Sequence, residues 1–270
     1  MAIETVAVLS PGDMGHAVGQ LLRENELRVV TCLAGRSGRT KTLSEQAGII
    51  DVPNLERLVE QTDIVLSITV SESAPTVARG IADAIKATQA AGSDILFAEC
   101  NALAPQTVRQ LEPVITDSGG RFVDASIIGG PPRNGSSPRF YASGPQAAEL
   151  EKLREFGLDV RIIGSETGQA SGIKMCYAAM TKGTAALQAQ LLMAAELMGL
   201  SQDLKEEFQN GQSAMYQRME RSLPGVPAKA RRWVSEMQEI EATFSHLGLS
   251  PHMFQGVADM YRLIGGTLLG

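Results

Sequence analysis

The sequence has few aromatic residues, few cysteines and no long apolar or basic run. Aromatic residues make up 4% of the 270 residues, and the three cysteines lie far apart at positions 32, 100 and 176. Neither a disulfide framework nor a zinc site is therefore expected. The net charge is −6 and no basic run exceeds two residues, which disfavours nucleic acid and anionic membranes as partners.

Membrane insertion and metal binding are also not expected. No apolar run reaches the roughly 18 residues that a spanning helix needs. A first strand begins at about Ile3, which leaves no room for a signal peptide. The three histidines, at positions 16, 246 and 252, show no metal-ligand spacing. We therefore expect a soluble, cytoplasmic protein without a metal site.

Residues 1–164 alternate between strand-like and helix-like segments. The strand-like segments are residues 5–10, 27–34, 62–70, 93–100, 121–128, 139–144 and 159–163, and the helix-like segments are residues 15–25, 74–88 and 104–119. This alternation indicates βαβ units, and apolar strands with little alternation indicate a sheet covered on both faces. The sequence therefore predicts an α/β Rossmann domain with a doubly wound, mostly parallel sheet over residues 1–164.

Residues 165–270 predict an all-helical domain. Residues 167–200 contain no proline and are mostly small or apolar, which predicts one helix of roughly 50 Å. Further helices are predicted at residues 202–222, 227–247 and 251–267. The long helix is apolar on most sides, so both domains or another subunit should cover it. We expect a homodimer formed through this helical domain.

The segment LSPGDMGHAVGQLL, residues 9–22, resembles a dinucleotide-binding turn. Gly12 and Gly15 take the second and third glycine positions, and Ser10 replaces the first. Because Pro11 has no N–H, the phosphate donors must come from residues 12 to 15. We expect a cofactor to contact Ser10, Gly12, Asp13, Met14 and Gly15. The alternative is an ordinary strand-to-helix turn with packing glycines.

The end of the second strand bears on which dinucleotide is bound. An NAD site is expected to carry an acid there for the ribose 2′-hydroxyl. The segment AGRSGRT carries instead Arg36, Ser37, Arg39 and Thr40. Guanidinium groups and hydroxyls suit a 2′-phosphate, so NADP, with NADPH preferred over NADH, is the predicted cofactor. The alternative is a solvated basic loop.

Further candidate residues follow the other strands, because ligands of doubly wound sheets bind beyond the carboxyl ends of the strands. Thr69 and Val70 are candidates for cofactor contact, and Asn101 for the nicotinamide or the substrate. The segment after the strand at 121–128 offers Gly129 and Gly130 for close approach of the small-molecule substrate. It also offers Arg133, which could bind an anionic substrate group or be a solvated loop residue.

Lys174 opens the long helix within an otherwise small and apolar stretch. A lysine desolvated beside a cofactor could exchange a proton with a carbonyl or alcohol oxygen, so we predict Lys174 as the general acid/base. Tyr177 lies one turn further on the same face. The alternative is a lysine that extends from a buried helix to water. Lys182 has similar surroundings and is assigned no role.

Four segments, in order, resemble the β-hydroxyacid dehydrogenases, relatives of 6-phosphogluconate dehydrogenase. SPGDMG is similar to the G-x-G-x-M-G turn, ECNALAP to D-x-N-x-x-S-P, VDASIIGG to D-A-P-V-S-G-G, and GQASGIKMCYAAMTKG to the G-x-x-x-K-x-x-N-N helix. SIIGGPPR and KMCYAAMTKG most resemble a subgroup whose C-terminal helical domain has no known function. The resemblance implies hydride transfer between NADP and a substrate held between two domains, with the catalytic lysine at Lys174.

The sequence departs from the family at the predicted substrate site. The two helix asparagines fall on Tyr177 and Ala178, the substrate-loop serine on Ile128, and the preceding proline on Ser126. A later Lys–Asp pair falls near residues 235–236, without a lysine. The predicted function is an NADP-dependent oxidoreductase acting on a carbonyl or alcohol. The alternatives are an imine reductase-like enzyme, disfavoured by the lysine, and a non-catalytic NADP-binding protein.

Overall fold

The computed structural model describes residues 3–88, 95–133, 135 and 137–266. The chain forms two compact units, Met1–Lys174 and Met175–Gly270. The first unit contains an eight-stranded sheet in the order β3-β2-β1-β4-β5-β6-β7-β8. Its strands are β1 (Thr5–Leu9), β2 (Arg28–Thr31), β3 (Ile50–Asp51), β4 (Ile64–Ser67), β5 (Leu96–Glu99), β6 (Arg121–Ile128), β7 (Arg139–Ser143) and β8 (Asp159–Gly164). All neighbouring strands are parallel except β6 and β7.

Helices cover both faces of this sheet. They are α1 (Asp13–Glu24), α2 (Gly38–Gln46), α3 (Leu55–Val59), α4 (Ala74–Ala87), α5 (Pro105–Thr116) and α6 (Ala147–Glu151). Alternate residues of β1 enter two separate apolar cores, with Val6 and Val8 in one and Ala7 and Leu9 in the other. This explains why the strands read as continuous apolar runs, and it confirms the predicted doubly wound, mostly parallel α/β fold.

The remaining chain is helical. Its helices are α7 (Gln169–Leu197), α8 (Ser201–Gly211), α9 (Ser213–Ser222), α10 (Pro227–His246) and α11 (His252–Ile264). Helix α7 begins in the first unit and continues into the second, so the division at residues 174/175 lies inside it. The sequence predicts the domain boundary at residue 164, where β8 ends. None of the described helices has the length and hydropathy needed to cross a membrane.

Several local predictions differ from the structure. The predicted helix at 202–222 is two helices, because the backbone leaves the helical region at Gln212 (φ −144°, ψ 43°). Helix α2 was not predicted, and it begins within the segment AGRSGRT, where the Ser37 hydroxyl accepts a hydrogen bond from Thr40 N at 3.2 Å. The short elements β3, α3 and α6 were not predicted. Residues 93–94 and 267, included in a predicted strand and a predicted helix, lie outside the described residues.

Candidate active site

The glycine turn connects β1 to α1 at the carboxyl end of β1. The Gly12 N–H donates to the main-chain oxygen of Ser10 at 2.7 Å, and α1 begins with the next residue. A Cβ on Gly15 would lie 2.6 Å from that Ser10 oxygen, so a glycine is required for α1 to pack against the turn. A Cβ on Gly12 would have no atom within 4 Å. The turn is therefore tightly packed at Gly15 and open at Gly12.

The open side of the turn carries helix N-terminal donors. The first main-chain N–H groups of a helix have no acceptor within the helix and favour an anion. In α1 these belong to Asp13, Met14 and Gly15. Since the Gly12 N–H is already bonded to Ser10, these three amides are the candidate phosphate donors.

The four residues predicted to bind a 2′-phosphate lie around the start of α2. The hydroxyls of Ser37 and Thr40 are 3.0 Å apart, and the Ser37 hydroxyl caps α2. The Arg39 guanidinium forms an exposed ion pair with the Asp13 carboxylate, which brings it beside the start of α1. Arg36 is half-buried in the loop after β2. The structure therefore brings Arg39 to the glycine turn, while the two hydroxyls are engaged with each other.

Asn101 joins the ends of β4 and β5. Its Oδ1 accepts a hydrogen bond from Thr69 N at 2.6 Å. Its Nδ2 donates to the Ser67 hydroxyl at 3.1 Å and to the Glu99 carboxylate. Its amide holds the Thr69–Val70 segment in place, with Val70 exposed. Contact of Asn101 with the nicotinamide or the substrate stays a prediction.

Glu99 is a buried carboxylic acid that sequence reasoning missed. It is fully buried at the end of β5 and accepts a hydrogen bond from Asn101 N at 2.9 Å. Burial raises the pKa of Glu99 to about 7, although hydrogen bonds from Asn101 and Ser67 act in the opposite direction. The available signal was an acid at the end of an apolar strand.

Asp124 is the second missed carboxylate, and it lies in the middle of β6. Its Oδ2 accepts hydrogen bonds from Gly168 N at 2.9 Å and from Ser171 N at 3.0 Å, and its Oδ1 accepts one from the Ser171 hydroxyl at 2.7 Å. Ser143 on β7 also donates to Oδ2, at 3.0 Å. The Asp124 side chain therefore binds the start of α7 to the sheet.

Lys174 lies one turn after these contacts. Its Nζ donates a hydrogen bond to the main-chain oxygen of Ile127 at 2.7 Å, near the carboxyl end of β6. The strands β1, β4, β5 and β6 are mutually parallel, so their carboxyl ends lie on one edge of the sheet. Lys174 and the glycine turn are therefore on the same edge.

The residues predicted to contact substrate differ in exposure. Ser126 and Ile128 are buried in β6, because this strand is covered on both faces. The exposed residues are Gly129, Gly130 and Arg133, which follow the strand, and Tyr177, which is 48% exposed on α7. Gly129 has φ 131°, a backbone conformation that residues with a side chain rarely adopt.

Lys182 differs from Lys174 in its surroundings, contrary to our expectation. Its Nζ lies 2.7 Å from Glu236 Oε2, and both side chains are about nine-tenths buried. It also lies 5.5 Å from the centre of the Trp233 ring. Glu236 therefore has a lysine partner from α7. The Lys–Asp pair of the family was expected near this residue. Among the residues that the structure describes, no group of three or more His, Cys, Asp or Glu side chains could hold a metal ion.

Comparison with known families identifies the first unit. Residues 5–156 match the NAD binding domain of 6-phosphogluconate dehydrogenase. The chain belongs to this 6-phosphogluconate dehydrogenase family. Residues 195–264 match a domain of unknown function, DUF1932. The family resemblance drawn from the four sequence segments is confirmed.

Two similar proteins have no assigned function. An uncharacterized 28.5 kDa protein of Methanothermus fervidus is 28% identical over 254 residues, which cover 94% of this chain and 96% of that protein. The conserved protein MTH1747, described as having unknown function and structural similarity with 3-hydroxyacid dehydrogenases, is 28% identical. The match covers 98% of this chain and 98% of that protein, with a TM-score of 0.71.

More distant solved structures share the fold. The 3-hydroxyisobutyrate dehydrogenase of Mycobacterium tuberculosis with L-serine is 17% identical over 98% of this chain and 94% of that one, with a TM-score of 0.72. The imine reductase of Myxococcus stipitatus in complex with NADP+ is 18% identical over 98% and 94%, with a TM-score of 0.61. The fold is therefore that of the hydroxyacid dehydrogenases, and imine reductases share it.

The glycine turn fits the dinucleotide of the 6-phosphogluconate dehydrogenase family. The space above Gly12 is open, so a pyrophosphate can approach the backbone. The turn lies after β1, and β1 separates β2 and β3 from the strands that begin with β4. The order of strands reverses at this point, which is where doubly wound sheets bind ligands. The chain therefore has an NAD(P)-binding domain, with its glycine turn where the order of strands reverses.

Proposed function

We propose that this protein is an NADP-dependent oxidoreductase of the β-hydroxyacid dehydrogenase type, with Lys174 as the general acid/base. The observation that carries the proposal is the position of Lys174. Its Nζ is held 2.7 Å from Ile127 O on the sheet edge that also carries the glycine turn. A protonatable group and a dinucleotide turn on one edge are the two parts that this chemistry needs.

Each residue has a stated task in this proposal. The amides of Asp13, Met14 and Gly15 bind the pyrophosphate, and Arg36 and Arg39 bind the 2′-phosphate. The bound nicotinamide supplies or accepts the hydride. Lys174 donates a proton to the carbonyl oxygen during reduction and takes one from the alcohol during oxidation.

The test replaces Lys174 by methionine, which keeps the length of the side chain and removes the charge. Turnover is followed as NADPH consumption with a panel of β-keto acids and cyclic imines, and NADPH affinity is measured separately. We expect turnover of a β-keto acid to fall at least about 100-fold, because general acid catalysis is lost. The NADPH dissociation constant should change less than threefold, and the exposed Lys205→Met variant should match wild type in both measurements.

The other outcomes separate the alternatives. Undiminished turnover in Lys174→Met would exclude the assigned role. Turnover of cyclic imines but not of β-keto acids would favour an imine reductase. NADPH binding without turnover of any panel member would favour a non-catalytic NADP-binding protein.

We also propose that the protein is a homodimer formed through its helical unit. Helices α7 and α11 line an apolar groove of about 630 Å³. Met180 and Leu187 of α7 and Met253 of α11 are 72%, 61% and 71% exposed. Burying these side chains against a second copy would remove apolar surface from water.

A further inference from the structure

The first turn of α7 is capped by the sheet. The residue before the helix is Gly168, whose φ of +103° suits glycine and which has no side chain to act as a cap. The Asp124 carboxylate accepts hydrogen bonds from Gly168 N at 2.9 Å and Ser171 N at 3.0 Å. The hydroxyl of Ser143 accepts one from Ala170 N at 2.9 Å. Side chains of β6 and β7 therefore satisfy the free amides of this helix.

The same strand binds α7 a second time, at Lys174. Asp124 and Ile127 are three residues apart on β6, and Ser171 and Lys174 are three residues apart on α7. Asp124 is bonded to Ser171, whose Oγ lies 2.7 Å from Asp124 Oδ1. Ile127 is bonded to Lys174, whose Nζ donates a hydrogen bond to Ile127 O at 2.7 Å. The position of the ammonium therefore depends on where the first turn of α7 is held.

The hydrogen bonds of Asp124 are formed in the protein interior. Asp124 has no exposed surface, and Ser143 and Ser171 are equally buried. Burial raises the pKa of Asp124, while the hydrogen bonds from Ser171, Ser143 and Gly168 favour the ionised form. The positive end of the α7 dipole also favours a carboxylate here. A group with several buried bonds has few alternative positions, so it can fix the helix that carries Lys174.

We propose that Asp124 is the positioning residue for Lys174. By binding the first turn of α7 it sets the point from which the lysine reaches Ile127 O, and it does not itself touch substrate or cofactor. This inference rests on the proposed function for its effect on catalysis. Its structural part, the placement of the ammonium, can be measured without any substrate.

The variants are chosen by what each bond requires. Asp124→Asn can keep all four contacts. The new amide oxygen can accept hydrogen bonds from Gly168 N, Ser171 N and the Ser143 hydroxyl. The new amide nitrogen can donate to the Ser171 hydroxyl, which rotates to accept. Asp124→Ala loses all four bonds. Ser171→Ala loses only the 2.7 Å bond and serves if Asp124→Ala fails to fold. Ser44→Ala is the matched control, because Ser44 is buried on α2 and its hydroxyl has no hydrogen-bond partner among the described residues.

The first measurement is the acetylation rate of Lys174 by acetic anhydride, read by peptide mass spectrometry against exposed Lys205 in the full-length protein. We expect the rate to rise about tenfold or more in Asp124→Ala and severalfold in Ser171→Ala, because the ammonium is no longer held against Ile127. Asp124→Asn and Ser44→Ala should stay within twofold of wild type. Wild-type rates in both Asp124→Ala and Ser171→Ala would overturn the inference, as would a wild-type rate in Ser171→Ala alone if Asp124→Ala does not fold.

The second measurement is turnover together with NADPH affinity. We expect turnover in Asp124→Ala to fall about tenfold or more with an unchanged NADPH dissociation constant, since a misplaced group loses rate rather than cofactor binding. Asp124→Asn should keep more turnover than Asp124→Ala. If the acetylation rates change as expected but wild type turns over no substrate, the proposed function fails while the placement of Lys174 by Asp124 stands.

Discussion

Glu99 accepts hydrogen bonds from both nitrogens of Asn101, and through Asn101 it is connected to the backbone of Thr69. The carboxyl group is fully buried, so a charge there is costly. The arrangement places an ionisable group beneath the loops that follow β4 and β5. Its protonation state is therefore coupled to the stability of the edge of the sheet that carries the candidate site.

The raised pKa of Glu99 predicts a specific dependence of stability on pH. Burial raises this pKa from 4.5 to about 7. Between these values the folded protein holds a proton that the unfolded chain has released, so the free energy of unfolding falls as the pH rises. The contribution of Glu99 is about 3 kcal/mol, present below pH 4.5 and lost as the pH passes about 7.

Denaturant unfolding of Glu99→Gln at several pH values measures this contribution. The variant should gain stability relative to wild type as the pH rises from 4.5 to 7.5, because glutamine cannot ionise. Asp124 lies near and also has a raised pKa, so the comparison between the two proteins isolates Glu99. Glu45→Gln, at an exposed position of α2, should show no such trend. A stability difference that is the same at both pH values would contradict the prediction.

The regular parts of the fold were predictable from local patterns. The strands β1, β4 and β5 are each covered on both faces and so read as nearly continuous apolar runs. The proline-free stretch predicted α7, which runs from Gln169 to Leu197. The two-residue strand β3 and the five-residue helix α3 are too short for a periodic pattern to be detected.

The candidate site was predictable only in part. The glycines and Lys174 belong to motifs whose spacing is local, so the sequence indicated them. The bonds from Asp124 to Gly168 and Ser171 join residues 44 and 47 positions apart, and no local pattern contains them. The bonds of Asn101 to Ser67, at the end of β4, and to Thr69, in the segment after it, were not predicted, because these partners lie more than 30 positions away. Such partners become visible only when the order of strands is known.

Arg36 and Arg39 should affect cofactor binding in different ways. Arg36 lies in the loop after β2, so Arg36→Ala should weaken NADPH binding about tenfold and leave NADH binding within threefold. Arg39 pairs with Asp13 at the start of α1. Arg39→Ala removes a proposed 2′-phosphate contact and also leaves that carboxylate without its partner beside the proposed pyrophosphate site. Both cofactors should therefore bind more weakly, NADPH more than NADH.

Fluorescence titration of both cofactors measures these effects. The exposed residue Arg79 on α4 provides the control, and Arg79→Ala should match wild type for NADPH and NADH. Equal affinity of the wild-type protein for the two cofactors would show that the basic loop does not select NADP.

The apolar groove of α7 and α11 predicts the oligomeric state. Met180 lines this groove and is 72% exposed in a single chain. If a second copy covers it, Met180→Glu places a charge in an apolar interface, and the dimer dissociation constant should rise at least about tenfold. Met215→Glu is the matched control, because Met215 is also an exposed methionine but lies on α9, outside the lining of the groove.

Sedimentation velocity at micromolar concentration measures the oligomeric state. Wild type and Met215→Glu should be dimeric, and Met180→Glu should be shifted toward monomer. A monomeric wild-type protein, or a Met180→Glu variant as dimeric as its control, would show that this groove does not bind a second copy.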